Sequence, residues 1–171
     1  MNFNKLYYKA FDLVDELNAC DVKVAFAESL TGGMISSKLV DVPGTSEVFV
    51  GSVVAYSNDI KMNVLGVKPE TIETYTEVSL ECAGEMAEGV RKLMGADIAF
   101  SATGYAGGYS SGRDLPDEED EETGTVCFGL ATEDGTVTFA QCFPGDREDI
   151  RLQSVEFVFD MILDYLKENY E

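Results

Sequence analysis

A serine and a glycine pair stand directly after an apolar stretch near the start of the chain. The stretch at 22–27 is rich in β-branched residues, and Ser29 and the glycines at 32–33 follow it. A helical pattern covers 31–40, so this order predicts a strand, a tight turn and a helix. The Ser29 hydroxyl then lies at a strand end, beside the N–H groups and positive dipole of a helix N-terminus. Ser29 is therefore a candidate nucleophile; the alternative is that Ser29 or Thr31 only caps the helix.

The chain contains no histidine, which excludes a Ser-His-Asp triad. If Ser29 is a nucleophile, a lysine or a tyrosine has to activate it. Tyr56 ends a second predicted strand at 48–56, and Lys61 lies in the helical turn that follows. A lysine in a dry pocket can lose its proton near neutral pH, and a tyrosine can relay that proton. Each residue also has an ordinary explanation, in which Tyr56 only packs and Lys61 is solvated.

Further polar groups follow the third predicted strand and open the last predicted helix. Thr103 comes after a strand at 98–102 and offers a hydroxyl, with neighbouring N–H groups, to a developing oxyanion. Arg147 and Arg151 are spaced i, i+4 in the first turns of the final helix, where cations oppose the helix dipole. Their position is explained if they bind an anion beside the helix N–H groups. In the alternative explanation, both arginines pair with the acidic residues around them.

Predicted helices and strands alternate through most of the chain. Buried strands at 22–27, 48–56 and 98–102 are separated by helical patterns, and an apolar hairpin precedes a long closing helix. This order predicts an α/β fold, a three-layer α/β/α sandwich with a mixed, mainly parallel sheet and one late β-hairpin. The 171 residues and the 45% hydrophobic content favour a single domain over 1–171. Open sheets of this kind place sites at strand ends, where several candidate residues lie.

The late hairpin brings two of the cysteines together. A tight turn centred on Asp134-Gly135 joins two apolar strands and places Cys127 directly opposite Cys142. The cysteines form no CxxC pair and no histidine is present, so they do not indicate a zinc site. We expect reduced thiols, because cytosolic reductants work against a disulfide.

The charge of the chain restricts its partners. The formal net charge is −20, which argues against nucleic acid or an anionic membrane as a general partner. The segment at 109–123 has few apolar groups and contains an unbroken acidic run at 117–122. Such a composition predicts a mobile acidic loop. The alternative is an active-site flap, because the segment follows a glycine-rich stretch at 103–108.

Nothing in the sequence indicates export or insertion into a membrane. Met1 is followed almost at once by a helical pattern, without the charged, apolar and cleavage regions of a signal peptide. No apolar run approaches the roughly 20 residues that cross a bilayer. We therefore expect a soluble, cytoplasmic protein without a membrane partner.

A series of short motifs, in order along the chain, resembles the CinA C-terminal domain family. They are A-E-S-L-T-G-G at 27–33, D-V-P-G-T-S at 41–46, V-V-A-Y-S-N at 53–58 with Lys61, L-G-V at 65–67, A-T-G at 102–104, G-T-V at 124–126 and F-P-G-D-R at 143–147. Ordered agreement over several motifs is far more specific than one glycine pattern. Many members of the family are nicotinamide mononucleotide amidohydrolases. The resemblance therefore implies a stand-alone form of such an enzyme, and it favours a homo-oligomer.

The resemblance assigns roles to individual residues. The serine of A-E-S-x-T-G-G is the family's proposed nucleophile, supported by the tyrosine and lysine of Y-S-N-x-x-K; these are Ser29, Tyr56 and Lys61. A threonine of T-G-x-A-G and an arginine of P-G-D-R are associated with the site, and they correspond to Thr103 and Arg147. We expect a small-molecule nucleotide substrate to be contacted by the following residues: Thr31, Gly32, Gly33, Gly104, Arg147 and Arg151.

These residues imply a specific reaction. Ser29 attacks the carboxamide carbon with the help of Lys61 and Tyr56, ammonia leaves, and water hydrolyses the acyl-enzyme to nicotinate mononucleotide. No step needs a metal or an organic cofactor. The chain departs from the family where T-G-x-A-G usually continues as P-G-G, since it reads G-Y-S-S at 108–111, and it has Leu30 where a cysteine is common. The first departure lies where substrate is contacted, so a second class of function stays open: a nucleotide-binding or regulatory domain without turnover.

Overall fold

The computed structural model describes residues 3–107 and 122–170, in which helices and strands alternate. The helices are α1 Phe3–Ala19, α2 Met34–Val40, α3 Asn58–Leu65, α4 Pro69–Tyr75, α5 Leu80–Met94 and α6 Arg147–Tyr170. The strands are β1 Val24–Glu28, β2 Phe49–Val54, β3 Ile98–Gly104, β4 Thr125–Ala131 and β5 Thr136–Cys142, with a 3-10 helix at Thr45–Glu47. Of the predicted loop at 109–123, residues 109–121 lie outside the described part. Within that part, no helix combines the length and the apolar composition needed to cross a membrane.

The strands form one mixed sheet in the order β2-β1-β3-β4-β5. β1 pairs in parallel with β2 and β3, whereas β4 pairs antiparallel with β3 and β5. Every described strand except β4 therefore runs in the same direction. Helices cover both faces, so the predicted α/β sandwich with a late hairpin is confirmed. Because β1, β2 and β3 are parallel, their carboxyl ends meet at one edge of the sheet and bring the residues that follow them together.

The two faces of the sheet carry side chains of different size. One face presents large residues such as Phe26 and Phe100, which pack against apolar residues of α1, α2 and α6. The other face presents small residues such as Ala25, on which α5 packs. The small side chains allow a close approach, and the Ser101 hydroxyl donates to the Ala83 carbonyl of α5 at 2.6 Å. This close packing holds α5, and with it the segment that precedes α5, against the sheet.

The hairpin turn lies one residue earlier than the sequence pattern predicts. The Thr132 N–H donates to the Gly135 carbonyl, so the two residues at the tip are Glu133 and Asp134. The Thr132 hydroxyl accepts the N–H of Asp134, and this local bond stabilises the earlier turn. The Asp-Gly pair that favours a turn in the sequence therefore contributes only its aspartate to the tip.

The new register separates the two hairpin cysteines. Cys127 pairs with Ala140 and Cys142 pairs with Thr125, so the prediction that the cysteines lie directly opposite each other is wrong. A shift of one residue in the turn moves the pairing by two positions, so each cysteine keeps its predicted face. The cysteines all lie within the described residues and are thiols. Burial raises the pKa of Cys82 to about 11, which keeps this sulfur protonated at neutral pH.

Candidate active site

Ser29 follows β1 directly, at the edge where the three parallel strands end. Its N–H donates to the Ala102 carbonyl of β3 at 2.9 Å, so the strand pairing continues up to the serine. The residue is 7% exposed. The chain then turns into α2, which begins at Met34 rather than at Thr31. The predicted order of strand, turn and helix is confirmed, and it leaves the serine hydroxyl on a well-supported backbone.

The carboxylate of Glu28 occupies the N-terminus of α2. It accepts N–H bonds from Gly33 and Ile35, both at 3.0 Å, and from Ser36 at 2.9 Å, together with the Ser36 hydroxyl at 2.6 Å. Glu28 is fully buried, and its charge satisfies both the orphan donors and the dipole of the helix. The alternative prediction, that Ser29 or Thr31 only caps the helix, is therefore wrong, because neither side chain caps α2. The N–H groups at the start of α2 donate to Glu28, so they are not free to surround Ser29 as the sequence predicted.

Arg151 and two glycines shape the turn between β1 and α2. Arg151 on α6 donates through Nε and Nη2 to the carbonyl oxygens of Leu30 and Thr31, at 3.0 and 2.9 Å. Gly32 and Gly33 have φ angles of 60° and 93°, a conformation that residues with side chains rarely adopt. Thr31 is fully buried, and its Oγ1 has no hydrogen-bond partner among the described residues. These groups hold the backbone of the turn. A cavity opens beside Ser29, and its described lining does not include Arg151, Thr31 or the two glycines of the turn.

Lys61 reaches the serine from α3. The Ser57 hydroxyl caps this helix by accepting the N–H of Ile60, and Gly66 ends it in the left-handed conformation. Lys61 is 1% exposed, and its Nζ lies 3.1 Å from Ser29 Oγ. Within residues 3–107 and 122–170, no carboxylate forms an ion pair with Lys61. The structure therefore joins the predicted nucleophile and the predicted base by a direct contact.

Burial lowers the pKa of Lys61, because the ammonium form loses its hydration in the interior. Negative charge on Cys82 or Glu77 acts in the opposite direction and more weakly. Because Cys82 stays a thiol at neutral pH, Glu77 is the charged neighbour that opposes the effect of burial. A neutral amine at this position can accept the proton of the Ser29 hydroxyl.

A cavity of about 360 Å³ opens beside the Ser29–Lys61 pair. Small-molecule sites usually measure roughly 300–1,000 Å³. The cavity brings together many of the residues that the sequence predicts for the site: Ser29, Tyr56, Lys61, Thr103, Gly104 and Arg147. Among the described residues, no group of three or more acidic or cysteine side chains could hold a metal ion. The chemistry that this lining can support is that of hydroxyl, amine, carboxylate and guanidinium groups.

The end of β3 forms one wall of the cavity. The Thr103 hydroxyl donates to the Glu77 carbonyl at 2.7 Å, so its proton points to the segment before α5 rather than to an oxyanion. A Cβ atom on Gly104 would lie 2.6 Å from the Thr125 carbonyl, so the close approach of β4 requires a glycine. Leu30 also lines the cavity, and its N–H donates to no backbone oxygen among the described residues. This N–H follows the serine directly and is an available oxyanion donor.

Tyr56 and Arg147 form the outer rim of the cavity. Arg147 Nη2 donates to the Tyr56 hydroxyl at 3.2 Å, and Nη1 donates to the Gly107 carbonyl at 2.6 Å. Tyr56 is 64% exposed, and Arg147 is exposed as well. Among the described residues, no hydrogen bond joins the Tyr56 hydroxyl to Ser29 or Lys61. The structure therefore joins the tyrosine to the arginine, in the lining of the cavity that also contains Ser29 and Lys61.

Two acidic residues of the site were missed by reasoning from the sequence. Glu28 carried a usable signal, because a charged residue at the end of an apolar strand has to be paired when it is buried. Glu77 carried none. It follows Thr76, whose φ of 72° is strained for a β-branched residue, and it lies at this bend in the wall of the cavity. Only the tertiary structure shows that Glu77 belongs to the site.

Comparison with known proteins identifies the family of this chain. A family model described as the CinA C-terminal domain matches residues 9–166. The chain belongs to the CinA C-terminal domain family. A CinA-like protein of Fervidobacterium nodosum is 45% identical over 139 residues, which cover 81% of this chain and 33% of the relative. The CinA-family domain described here thus spans about a third of the length of the curated relatives it matches.

Solved structures of the CinA family share the fold over the whole chain. The competence damage-inducible protein A (ComA) of Klebsiella pneumoniae has a TM-score of 0.85 at 31% identity, and the match covers 100% of both chains. A competence or damage-inducible protein of Enterobacter asburiae has a TM-score of 0.82 at 32% identity, covering 97% of this chain and 99% of that one. The sheet and helices of this CinA-family domain are therefore those of competence/damage-inducible proteins.

Proposed function

We propose that this domain is a serine amidohydrolase that converts nicotinamide mononucleotide to nicotinate mononucleotide and ammonia. The observation that carries the proposal is the buried contact of 3.1 Å between Lys61 Nζ and Ser29 Oγ. Among the described residues, no carboxylate pairs with this buried lysine. The lysine can therefore act as the base, and the serine beside it as the nucleophile, of an acyl transfer. The resemblance of the motifs to those of nicotinamide mononucleotide amidohydrolases supports the substrate.

In the first half of the reaction, neutral Lys61 accepts the proton of the Ser29 hydroxyl. Ser29 Oγ forms a bond to the carboxamide carbon, and the carbonyl oxygen becomes an oxyanion within reach of the Leu30 N–H. The bond between carbon and nitrogen then breaks, and protonated Lys61 returns its proton to the departing nitrogen. Ammonia leaves, and the substrate acid remains bound to the serine as an ester.

In the second half, water replaces ammonia. Lys61 accepts a proton from the water as its oxygen attacks the ester carbon, and the bond between that carbon and Ser29 Oγ breaks. The proton passes from Lys61 to Ser29 Oγ, which restores the free serine. Nicotinate mononucleotide is released. The help of Tyr56 that the family resemblance implies stays a prediction: its hydroxyl accepts a hydrogen bond from Arg147 and, among the described residues, makes none with Ser29 or Lys61.

Arg147 is the proposed partner of the substrate phosphate. The guanidinium lies at the rim, and its contacts with Tyr56 and Gly107 leave further N–H donors for an anion. A planar fork of donors suits phosphate oxygens better than a single ammonium does. The net charge of −20 does not prevent binding, because repulsion from distant carboxylates is screened beyond about 8 Å at physiological salt.

The test is ammonia release from nicotinamide mononucleotide by the purified chain. Ammonia is measured with a coupled assay, nicotinate mononucleotide is identified by chromatography, and the Ser29→Ala variant is the control. Equal amounts of both products, formed only with Ser29 present, support the proposal. Saturable binding of the nucleotide without ammonia release rejects it and favours the nucleotide-binding domain without turnover.

A further inference from the structure

Glu77 is an acidic residue in the lining of the cavity that the proposed mechanism does not use. It is the one acidic residue in the described lining, and it is only partly exposed. Its backbone is held in place, because the Glu77 carbonyl accepts the Thr103 hydroxyl at 2.7 Å. Among the described residues, its carboxylate makes no hydrogen bond and no ion pair. A carboxylate in the cavity lining that has no partner among the described residues is available to a ligand.

The charges around the cavity are ordered from one end to the other. Glu77 lines the cavity together with Ser29 and Lys61, and its negative charge opposes the lowering of the Lys61 pKa by burial. Arg147, which is exposed, lines the cavity at its rim and donates to Tyr56. The cavity therefore presents a negative group beside the nucleophile and a positive group at its mouth.

We propose that Glu77 forms a subsite for a positively charged ring that bears the scissile carboxamide. The inference rests on the proposed function and names the class of amide that the site prefers. In nicotinamide mononucleotide the carboxamide is attached to a pyridinium ring, and the phosphate lies beyond the ribose. With the carboxamide at Ser29, the cationic ring faces Glu77 and the phosphate extends towards Arg147. Electrostatic complementarity in this order selects cationic aromatic amides over neutral ones.

A different role for Glu77 makes a different prediction. If the carboxylate acted only through Lys61, by holding a proton on the amine, it would affect every amide substrate to the same extent. A subsite for a cation affects only ligands with a charged ring. The two roles are therefore separated by comparing one cationic and one neutral ligand of the same shape.

The experiment measures dissociation constants by calorimetry in the Ser29→Ala background, where no turnover disturbs binding. The probes are nicotinamide mononucleotide and its C-nucleoside analogue, in which a neutral benzamide ring replaces the pyridinium. Glu77→Gln keeps the shape and removes the charge, and it should weaken binding of the cationic ligand about tenfold. The neutral analogue should change by less than about twofold. Glu81→Gln, on the exposed first turn of α5, is the matched control and should change neither.

Equal weakening of both ligands, or no weakening of either, overturns the subsite. Failure of both ligands to bind overturns it as well. A misfolded variant is recognised by its melting temperature, and Glu77→Ala then repeats the measurement. The subsite and the proposed function can fail separately: if nicotinamide mononucleotide yields no ammonia but its binding depends on Glu77 as described, the function is wrong and the subsite stands.

Discussion

The two ends of the cavity are built in opposite ways. Ser29 and Lys61 are 7% and 1% exposed, and they are held by a strand pairing and by a packed helix. At the other end Tyr56 is 64% exposed, and Arg147 links it to Gly107 across loops. Burial changes the proton affinity of the amine at the inner end, whereas exposure leaves the guanidinium hydrated and fully charged at the outer end.

This difference separates chemistry from recognition within one cavity. Proton transfer is most efficient with a group whose pKa is moved towards neutrality, and burial in a dry position does this for Lys61. Capture of a charged group from solution needs an accessible side chain that keeps its charge. Variants of the inner pair should therefore lower kcat, and variants of the rim pair should raise KM.

The largest effect is expected for Ser29→Ala. Without the nucleophile no acyl-enzyme forms, so kcat for ammonia release should fall by about 10³-fold or more. Binding of the nucleotide should be retained, because the backbone bond of Ser29 to Ala102 does not depend on the side chain. Ammonia release and calorimetry measure the two quantities. A variant that keeps most of its kcat would show that Ser29 is not the nucleophile.

Lys61→Met should lower kcat by about 10²-fold, the scale of the loss of a general base. Because burial lowers the pKa of Lys61, the neutral amine becomes abundant at a lower pH than for a solvated lysine. Wild-type activity should rise with pH through this lowered pKa, and the variant should lose that rise. Methionine has no amine to desolvate, so the melting temperature should not fall.

The exposed Lys68 provides the matched control for this substitution. It lies on the surface in an ion pair with Glu85, so Lys68→Met should leave the pH–rate profile unchanged. If Lys61→Met retained near-normal kcat and the same profile as wild type, the lysine would have no part in the reaction.

Arg147→Ala should raise KM for the nucleotide about tenfold, the scale of one charge-assisted phosphate contact. The phosphate-free riboside should be affected much less, because it has no anion for the guanidinium. Steady-state kinetics with both compounds measure the ratio. An equal rise for both would mean that Arg147 acts by holding Tyr56 and Gly107 in place.

Tyr56→Phe is expected to have the smallest effect. The change removes one exposed hydrogen bond to Arg147, at the lower end of the usual range at about 0.5–1 kcal/mol, so KM should rise about two- to fivefold. Turnover should stay near wild type, because among the described residues the hydroxyl contacts neither Ser29 nor Lys61. The family resemblance implies a catalytic tyrosine instead, and a loss of kcat near that of Lys61→Met would support this role.

Local sequence patterns predicted the elements better than the contacts between them. The helix at Asn58–Leu65 agrees with the helical turn predicted after Tyr56, because capping residues and apolar spacing act within a few residues. The hairpin turn was misplaced by one residue, because the Thr132 hydroxyl competes with the Asp-Gly signal. Patterns of this kind carry local preferences, and a competing side chain nearby can reverse them.

The amino-acid sequence was sufficient to predict the order of helices and strands, to exclude a histidine-based mechanism, and to point to the serine and lysine that meet in the cavity. These follow from periodicity, from composition and from ordered motifs. The tertiary structure decided that Glu28 fills the helix N-terminus, that Arg151 braces the turn, and that Glu77 enters the cavity. The reason is physical: the pairing and burial of a charged side chain depend on which distant segments the sheet brings beside it.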